Sequence, residues 1–302
     1  MTHLPLSGGT CRPIAVWMGV LCLALVSSIA AQASDRKPDQ ITAIPFAEVD
    51  GRELLLDLYL PALTDRPPLV VYVHGGAWRS GSRSRMPLTY LIEDGFAVAS
   101  VDYRLSPEAK FPAQIHDIKA AIRFLGAKAT VFGYDADAIG IAGSSAGGHL
   151  AALVGVTNGH SQLEGNVGSH LGESSDVHAV VSYFGASNLL TILSQSTPKG
   201  LDVRVPALKL LLGGLPEDHG GAARLASPVH HVDVSDPPLY LLHGDQDPQM
   251  PINQAHELHG AYQSKGLPVI FDVVYGGGHG GDSFHDAARS RSVSEFLSEH
   301  LR

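Results

Sequence analysis

The sequence predicts an α/β fold in which a mostly parallel, doubly wound sheet is flanked by helices. Short apolar runs, typical of strands that are buried on both faces, alternate with helix-like stretches along the chain. Before them stand two strand-like runs, 41–49 and 54–60, joined by Asp50-Gly51, which is a strong hairpin signal. We therefore expect antiparallel N-terminal strands. A third observation is the strand that runs through a Gly-Ser-Ser-Ala-Gly turn, 143–147, directly into a helix.

The other elements follow from hydrophobic periodicity and from Gly and Pro punctuation. Further strands are expected at 69–73, 96–101, 138–142, 179–184, 239–243 and 269–275. Helices are expected from Pro112 to about residue 125, at 251–265 and at 283–301. An irregular stretch at 158–176 and a helical excursion at 189–226 follow sheet strands, so both are candidates for pocket walls or a small lid above the carboxyl ends of the strands.

The N-terminal segment predicts export. Residues 14–30 are apolar and are followed by Ala31-Gln32-Ala33, which is the pattern of a secretory signal peptide with cleavage after Ala33. The alternative is an N-terminal membrane anchor. We expect a signal peptide over 1–33, one domain over 34–302, a secreted or periplasmic location, and no stable membrane insertion after cleavage.

Cysteine usage and charge exclude several classes of function. The two cysteines, Cys11 and Cys22, both lie in the predicted signal peptide, which excludes thiol catalysis and cysteine-ligated zinc in the mature chain. The formal net charge of −9 excludes a general affinity for nucleic acid. The run 256–259, His-Glu-Leu-His, is one residue short of the zinc-binding H-E-x-x-H spacing. We expect no metal and no cofactor.

The turn at 143–147 has the form of a nucleophile elbow. Gly143 and Gly147 let neighbouring backbone approach closely, so that the Ser145 hydroxyl stands exposed above the sheet at a helix N-terminus. The amide of Ala146 then faces any oxyanion that forms there. Because G-x-S-x-G also occurs in ordinary strand–helix turns, its neighbours in the chain have to support this interpretation.

A candidate oxyanion loop follows the strand at 69–73. The run His-Gly-Gly-Ala at 74–77 resembles an HGGG-type loop, in which small residues free backbone amides to point into a site. We predict that Gly76 and Ala77 donate to an oxyanion together with Ala146, with Gly75 as an alternative donor.

The acid and the base come later in the chain. Asp245 and Asp247 both follow the strand at 239–243, and Asp247 is preferred because an aspartate in the turn itself commonly bonds its own backbone. His279 lies in a glycine-rich loop after the last strand, which can carry an imidazole back over the sheet. Trp78 is expected to wall the substrate pocket, the alternative being a core or surface aromatic.

With Ser145, Asp247 and His279 in this order, the chain resembles the α/β-hydrolase esterases of the lipase/carboxylesterase group. Five stretches also resemble the secreted bacterial BD-FAE-like carbohydrate esterases: 74–81, 101–105, 111–117, 163–168 and 243–253. The resemblance covers nearly all of the mature chain. It implies an α/β-hydrolase catalytic domain and a serine esterase that removes acetyl or feruloyl groups from carbohydrates, so the expected partner is a small-molecule or oligosaccharide ester.

One departure from that family lies at 185–188, where Gly-Ala-Ser-Asn replaces the usual Gly-Pro-Thr-Asp. Asn188 puts a charge-dependent role at this position in doubt. The alternatives to a carbohydrate esterase are a general short-chain carboxylesterase, a serine peptidase of the prolyl-oligopeptidase type, and a catalytically inactive relative that binds a ligand. The peptidase is disfavoured because no stretch of this sequence is long enough for the extra domain that such enzymes usually carry.

Overall fold

The computed structural model describes residues 1–3, 39–62 and 64–302. The predicted signal peptide, 1–33, lies outside the described residues except for its first three. The chain divides into two units, Met1–Lys37 and Pro38–Arg302. The fold described below is that of the second unit.

Strands from the described residues form one eight-stranded sheet with the order β1-β2-β4-β3-β5-β6-β7-β8. The strands are β1 (Asp39–Val49), β2 (Arg52–Leu60), β3 (Pro68–Val73), β4 (Ala97–Val101), β5 (Asp135–Ser144), β6 (Ala179–Tyr183), β7 (Leu239–Gly244) and β8 (Val269–Val274). The β2 strand is antiparallel to both of its neighbours, and all later pairs are parallel. The predicted mostly parallel sheet with antiparallel N-terminal strands is confirmed.

The hairpin that opens the sheet is made by the predicted turn. Val49 pairs with Arg52, so Asp50 and Gly51 form a two-residue loop. Their φ angles are 51° and 79°, which is the left-handed region that such hairpin turns require.

Helices cover both faces of the sheet. They are α1 (Thr89–Glu93), α2 (Ala113–Phe132), α3 (Ala146–Gly155), α4 (Ser161–Glu164), α5 (Ile192–Gln195), α6 (Pro198–Leu212), α7 (Gly220–Leu225), α8 (Asn253–Ser264) and α9 (Ala287–Leu301). The helix predicted at 283–301 begins later, at Ala287, because the side chain of Asp286 caps it by accepting from the Arg289 amide. Within the described part of the chain, no helix combines the length and the apolarity needed to cross a membrane.

The core consists of two apolar layers, one on each face of the sheet. The layer under α2, α3 and α8 includes Ile118, Leu150 and Leu258, and the layer under α1 and α9 includes Leu91 and Leu297. Every residue of β3, β4, β6 and β7 is buried, as expected for parallel strands covered on both faces. This rigid sheet fixes the positions of the loops at its carboxyl edge.

Candidate active site

Ser145 occupies a strained turn between strand and helix. It is the single residue between β5 and α3, and its backbone angles are φ 56° and ψ −116°. Such angles cost on the order of 1–3 kcal/mol for a residue with a side chain. The amide of Ser145 donates to the Tyr183 carbonyl at 2.8 Å. A Cβ on Gly147 would overlap the Val73 carbonyl oxygen, and one on Gly143 would overlap the Gly147 carbonyl, so both glycines are required by close backbone contact.

Ser145, His279 and Asp247 lie in one chain of hydrogen bonds. Ser145 Oγ is 2.8 Å from His279 Nε2, and His279 Nδ1 is 2.6 Å from Asp247 Oδ2. A carboxylate only accepts, so Nδ1 carries the proton and donates to Asp247. Nε2 of the neutral ring therefore accepts from the Ser145 hydroxyl. The structure thus brings together the three side chains that the sequence predicts to meet.

Asp247 is held as an anion although its side chain has no exposed surface. Burial by itself raises the pKa of Asp247, but hydrogen bonds from His243 and His279 and from the backbone amide of Met250 outweigh it and hold that pKa well below its usual range. Asp247 Oδ1 accepts from the amides of Gln249 and Met250, at 2.8 and 2.9 Å. The carboxylate is therefore fixed in place by its own loop.

The neighbouring aspartate has a different task. Asp245 Oδ1 accepts from the Gly276 amide at 2.7 Å, which ties the β7 loop to the loop after β8. Asp247 is thus the aspartate that contacts His279, as predicted. The reason differs from the expected one, because it is Asp247 that bonds its own backbone.

His243 supports this arrangement and was not predicted to do so. It is fully buried at the end of β7, and its Nε2 donates to the Met250 carbonyl at 2.9 Å. The same Nε2 lies 3.5 Å from Asp247 Oδ2. Sequence reasoning placed His243 only at a strand end, and its position directly before Gly244-Asp245 was the available signal.

The loop after β3 presents free amides beside Ser145. Gly76 and Ala77 have φ angles of 109° and 52°, and a Cβ on Gly75 would lie 3.3 Å from Ser145 Cβ. Among the described residues, the amides of Gly76, Ala77 and Ala146 donate to no acceptor. Amides without an acceptor next to a serine hydroxyl can bind a developing oxyanion.

His74 holds this loop in its conformation. Its Nδ1 donates to the Gly75 carbonyl at 2.7 Å, and its ring stacks on Tyr103 with centroids 4.5 Å apart. The Tyr103 hydroxyl donates to the His74 carbonyl at 3.1 Å. Burial lowers the pKa of His74, which favours the neutral ring at neutral pH.

Trp78 does not wall a pocket, and that prediction is wrong. Its side chain is completely buried, so no substrate can touch it. Its Nε1 donates to Nδ1 of His149 at 3.0 Å, and His149 Nε2 donates to the Ala226 carbonyl at 2.6 Å. Burial lowers the pKa of His149 to about 4, so the ring is neutral. Trp78 instead joins the oxyanion loop to the helix that follows Ser145.

Arg204 of α6 is a second buried side chain that the sequence did not reveal. It is 1% exposed and lies 5.8 Å from the ring centroid of Trp78, and its Nε donates to the Gln249 carbonyl at 3.4 Å. Burial lowers the pKa of Arg204 to about 10 against the opposing effect of Asp247. Arg204 thus lies between the oxyanion loop and the loop that carries Asp247, and no sequence motif marks it.

Asn188, the departure noted in the sequence, has a structural partner. Its Nδ2 donates to Glu257 Oε2 at 2.6 Å, and Gln254 Oε1 accepts from the amides of Ser187 and Asn188. A carboxylate at 188 would face the carboxylate of Glu257. The amide therefore fits this loop because α8 supplies the acid.

The two histidines of α8, for which the sequence predicts no metal site, pack against the sheet. His256 and His259 lie with ring centroids 5.0 and 5.7 Å from that of Phe271. Across 39–62 and 64–302, no group of three or more His, Cys, Asp or Glu residues is arranged to hold a metal ion.

The fold and the serine-centred site define an α/β-hydrolase of the esterase type. Residues 56–262 match the BD-FAE family model, which is more than half of the chain, and the chain belongs to that family. Esterase LipQ of Mycobacterium tuberculosis is 32% identical over 281 residues, which cover 90% of this chain and 62% of LipQ. Esterase LipC of the same organism is 32% identical over 242 residues, covering 79% of this chain and 59% of LipC. The chain thus spans about three fifths of the length of these curated relatives.

Solved structures show the same fold. A truncated carbohydrate esterase from gut microbiota has a TM-score of 0.78 and 31% identity, covering 88% of this chain and 98% of that one. Thermogutta terrifontis esterase 2, phosphoramylated by tabun, has a TM-score of 0.70 and 26% identity, covering 86% of this chain and 94% of that one.

Proposed function

We propose that the protein hydrolyses carboxylic esters through Ser145, with His279 as general base and acid and Asp247 as the residue that orients it. The observation that carries this proposal is the hydrogen-bond chain from Ser145 Oγ through His279 to Asp247. A serine is a weak nucleophile by itself, and a base that is in turn oriented by a third group activates it.

In the first half of the reaction, Ser145 Oγ attacks the ester carbonyl carbon while His279 Nε2 takes the hydroxyl proton. The negative charge moves to the carbonyl oxygen, where the amides of Gly76, Ala77 and Ala146 donate to it. The intermediate collapses when the C–O bond to the alcohol breaks, and His279 returns the proton to the departing alkoxide. An acyl group is then bound to Ser145.

In the second half, water attacks the acyl group and gives its proton to His279. The tetrahedral intermediate forms on the same three amides, the bond to Ser145 Oγ breaks, and the serine regains its proton. His279 is positively charged in both intermediates. The buried Asp247 anion, 2.6 Å from Nδ1, stabilises that charge and fixes the ring tautomer.

For the substrate, we propose short acyl or feruloyl esters of carbohydrates. Support comes from membership of the BD-FAE family and from the similarity to a truncated carbohydrate esterase over 98% of that truncated chain. A general short-chain carboxylesterase is the second candidate, since the similarity to esterases LipQ and LipC favours it. We also propose that residues 1–33 direct export, so that the mature protein begins at Ser34 in the periplasm or outside the cell.

The test is hydrolysis of a matched panel by the mature protein: acetylated xylo-oligosaccharide, methyl ferulate, and p-nitrophenyl esters from acetate to octanoate. We expect Ser145→Ala to lower kcat by at least about 10⁴-fold without loss of fold. The matched control is Ser144→Ala, which removes the adjacent hydroxyl and is expected to retain activity. Undiminished activity of Ser145→Ala would refute the proposed nucleophile.

The panel also separates the two substrate classes. Preference for acetylated xylo-oligosaccharide or methyl ferulate supports a carbohydrate esterase, and hydrolysis of short p-nitrophenyl esters alone supports a general carboxylesterase. If no ester is cut, labelling by an organophosphonate distinguishes an inactive relative from an enzyme with an untested substrate. A mass increase on the peptide that contains Ser145 indicates an activated serine.

A further inference from the structure

A cavity of about 440 Å³ lies beside the oxyanion loop, on the side of the 80–87 segment. Its lining includes Gly75 and Gly76 together with the apolar side chains of Tyr72, Met86 and Pro87. The volume lies within the range of small-molecule sites, about 300–1,000 Å³. Ser145 is not among the described lining residues, but Gly75 is, and a Cβ on Gly75 would lie 3.3 Å from Ser145 Cβ. The cavity therefore adjoins the serine through Gly75.

Among the described lining residues, Arg85 is the one whose side chain carries a permanent charge. Arg85 is exposed, and no carboxylate within the described ranges lies within ion-pair distance of it. No acidic side chain is part of the described lining. The cavity therefore combines apolar walls with a guanidinium that has no protein anion to pair with.

The 80–87 segment, which carries Arg85, is held rigidly by the hydrogen bonds of Arg83. Arg83 donates from Nε to Asp57 Oδ1 at 2.9 Å and from Nη1 to Asp102 Oδ2 at 2.6 Å. The Arg83 amide also donates to Asp102, at 2.8 Å, and its carbonyl accepts from the Ser100 hydroxyl at 2.7 Å. These bonds occupy the two aspartates behind the wall and present Arg85 on a fixed segment, which lowers the entropic cost of binding.

A further guanidinium, that of Arg79, follows Trp78 in the chain and forms no ion pair inside the described chain. Arg204 also lies near the oxyanion loop, but the buried Asp247 acts on its charge. The protein as a whole is acidic, with a formal net charge of −9. Unpaired cations beside the site in an acidic molecule focus a local positive potential, which attracts an anionic substrate.

We propose that this cavity is a substrate subsite for an ester that carries a carboxylate near the scissile bond, and that Arg85 pairs with this carboxylate. The inference rests on the proposed function, because it assigns the cavity through Gly75, which lies beside Ser145. The carboxylate has two possible sources. It belongs either to the acyl part, as in a half ester of a dicarboxylic acid, or to the alcohol part, as in an acylated uronic acid.

The experiment measures kcat/KM for two matched pairs of substrates. The acyl pair is p-nitrophenyl hydrogen adipate and its neutral methyl ester, p-nitrophenyl methyl adipate. The alcohol pair is an acetylated methyl glucuronoside and the corresponding acetylated methyl glucoside, which lacks the carboxylate. A preference for the charged member in one pair identifies the source of the carboxylate and supports the proposal.

Arg85→Gln is expected to lower kcat/KM for the charged member about tenfold and to leave the neutral member unchanged, since one charge-assisted contact is lost. Arg85→Lys should retain most of the preference. The matched control is Arg66→Gln, which removes the same charge from an exposed ion pair with Asp135. Arg66 lies just before the N-terminal end of β3, whereas the oxyanion loop follows its carboxyl end. Raising NaCl from 0.05 to 0.5 M should weaken the preference of the unaltered protein.

Two results overturn the inference alone. One is hydrolysis of the neutral members with no preference in either pair, and the other is an equal effect of Arg85→Gln on charged and neutral members. If the unaltered protein hydrolyses neither member of either pair, the proposed function fails first and this inference falls with it.

Discussion

Two buried ionic groups of this protein look alike by burial and differ in what they can do. In the site, Asp247 has no exposed side-chain surface, and the chain of bonds that begins there ends on the Ser145 hydroxyl. In the other group, Glu164 pairs with Lys119 at 3.0 Å and with Arg123. The two cations are 0% and 1% exposed, against 8% for both Ser145 and Asp247.

The contacts of the Glu164 group all hold one stretch of the chain in place. Lys119 also donates to the Thr157 carbonyl at 2.6 Å, Arg123 to the Val167 carbonyl at 3.0 Å, and the Ser175 hydroxyl to Glu164 at 2.7 Å. These bonds fasten the irregular 158–176 stretch to α2. The hydrogen-bond chain of the site instead ends on the Ser145 hydroxyl, which lies beside backbone amides that have no acceptor. The comparison teaches that buried charge indicates catalysis only where a reactive atom remains available.

The largest difference between the two groups should appear when the acid of the site loses its charge. We expect Asp247→Asn to lower kcat by about 10³- to 10⁴-fold, because the amide donates to His279 and favours the wrong tautomer. Steady-state kinetics on p-nitrophenyl acetate measures this loss. Asp245→Asn is the matched control and should cost far less, since Asp245 only accepts from the Gly276 amide. A larger loss in the control would reverse the assignment of the two aspartates.

The opposite pattern is expected for the other group. Glu164→Ala leaves Lys119 and Arg123 as unpaired buried cations, which should lower the free energy of unfolding by about 3–5 kcal/mol. Urea denaturation measures it, and kcat per folded molecule should change less than twofold. Glu173→Ala, an exposed acid of the same stretch, should leave stability unchanged. A loss of kcat in folded Glu164→Ala would show that the two groups are coupled.

Trp78 allows an intermediate test, because it is a core residue attached to the site. Trp78→Phe removes the Nε1 donor and leaves His149 Nδ1 buried without a partner, which should cost about 1–3 kcal/mol of unfolding free energy. It should also lower kcat about tenfold, because the oxyanion loop is held less firmly. This loss is smaller than the roughly 10²- to 10³-fold loss that removal of one oxyanion donor causes. Unfolding curves and kcat are measured together. A change in KM alone would instead indicate that Trp78 contacts the substrate.

The smallest effect concerns pH. Burial raises the pKa of Glu164, but bonds from Ser175, Lys119 and Arg123 outweigh it and lower that pKa below its usual value. A carboxyl with a lowered folded-state pKa contributes stability above its unfolded pKa and loses it as pH falls. The stability advantage of the unaltered protein over Glu164→Gln should therefore shrink between pH 5 and pH 3. A stability difference that stays constant over this pH range, measured by urea denaturation, would contradict this prediction.

Much of the fold and of the candidate site could be predicted from local patterns. The alternation of strands and helices, the Asp50-Gly51 hairpin and the elbow around Ser145 depend on neighbouring residues, so the sequence shows them directly. His279 and Asp247 followed from their places after strands, since the carboxyl ends of parallel strands share one edge. The boundaries of α9 and the reason for preferring Asp247 were less accurate.

The role of Trp78 was wrong for a physical reason. Its position after the oxyanion loop placed it near the site, but the sequence does not tell on which side of the loop a side chain lies. His149 and Arg204 carry no motif, because each acts on residues far away in the chain. Their partners, such as Ala226 for His149 and Gln249 for Arg204, are brought near only by folding.

The sequence by itself determined the order of strands and helices, the tight turns and the identity of the candidate nucleophile, base and acid. These depend on backbone angles, hydrophobic periodicity and side-chain chemistry, which are properties of short segments. Only the tertiary structure decided that Trp78 is core, that Glu164 is a clamp, and that Arg85 faces an apolar cavity without an acidic partner. Burial and pairing are set by segments distant in sequence, so no local pattern contains them.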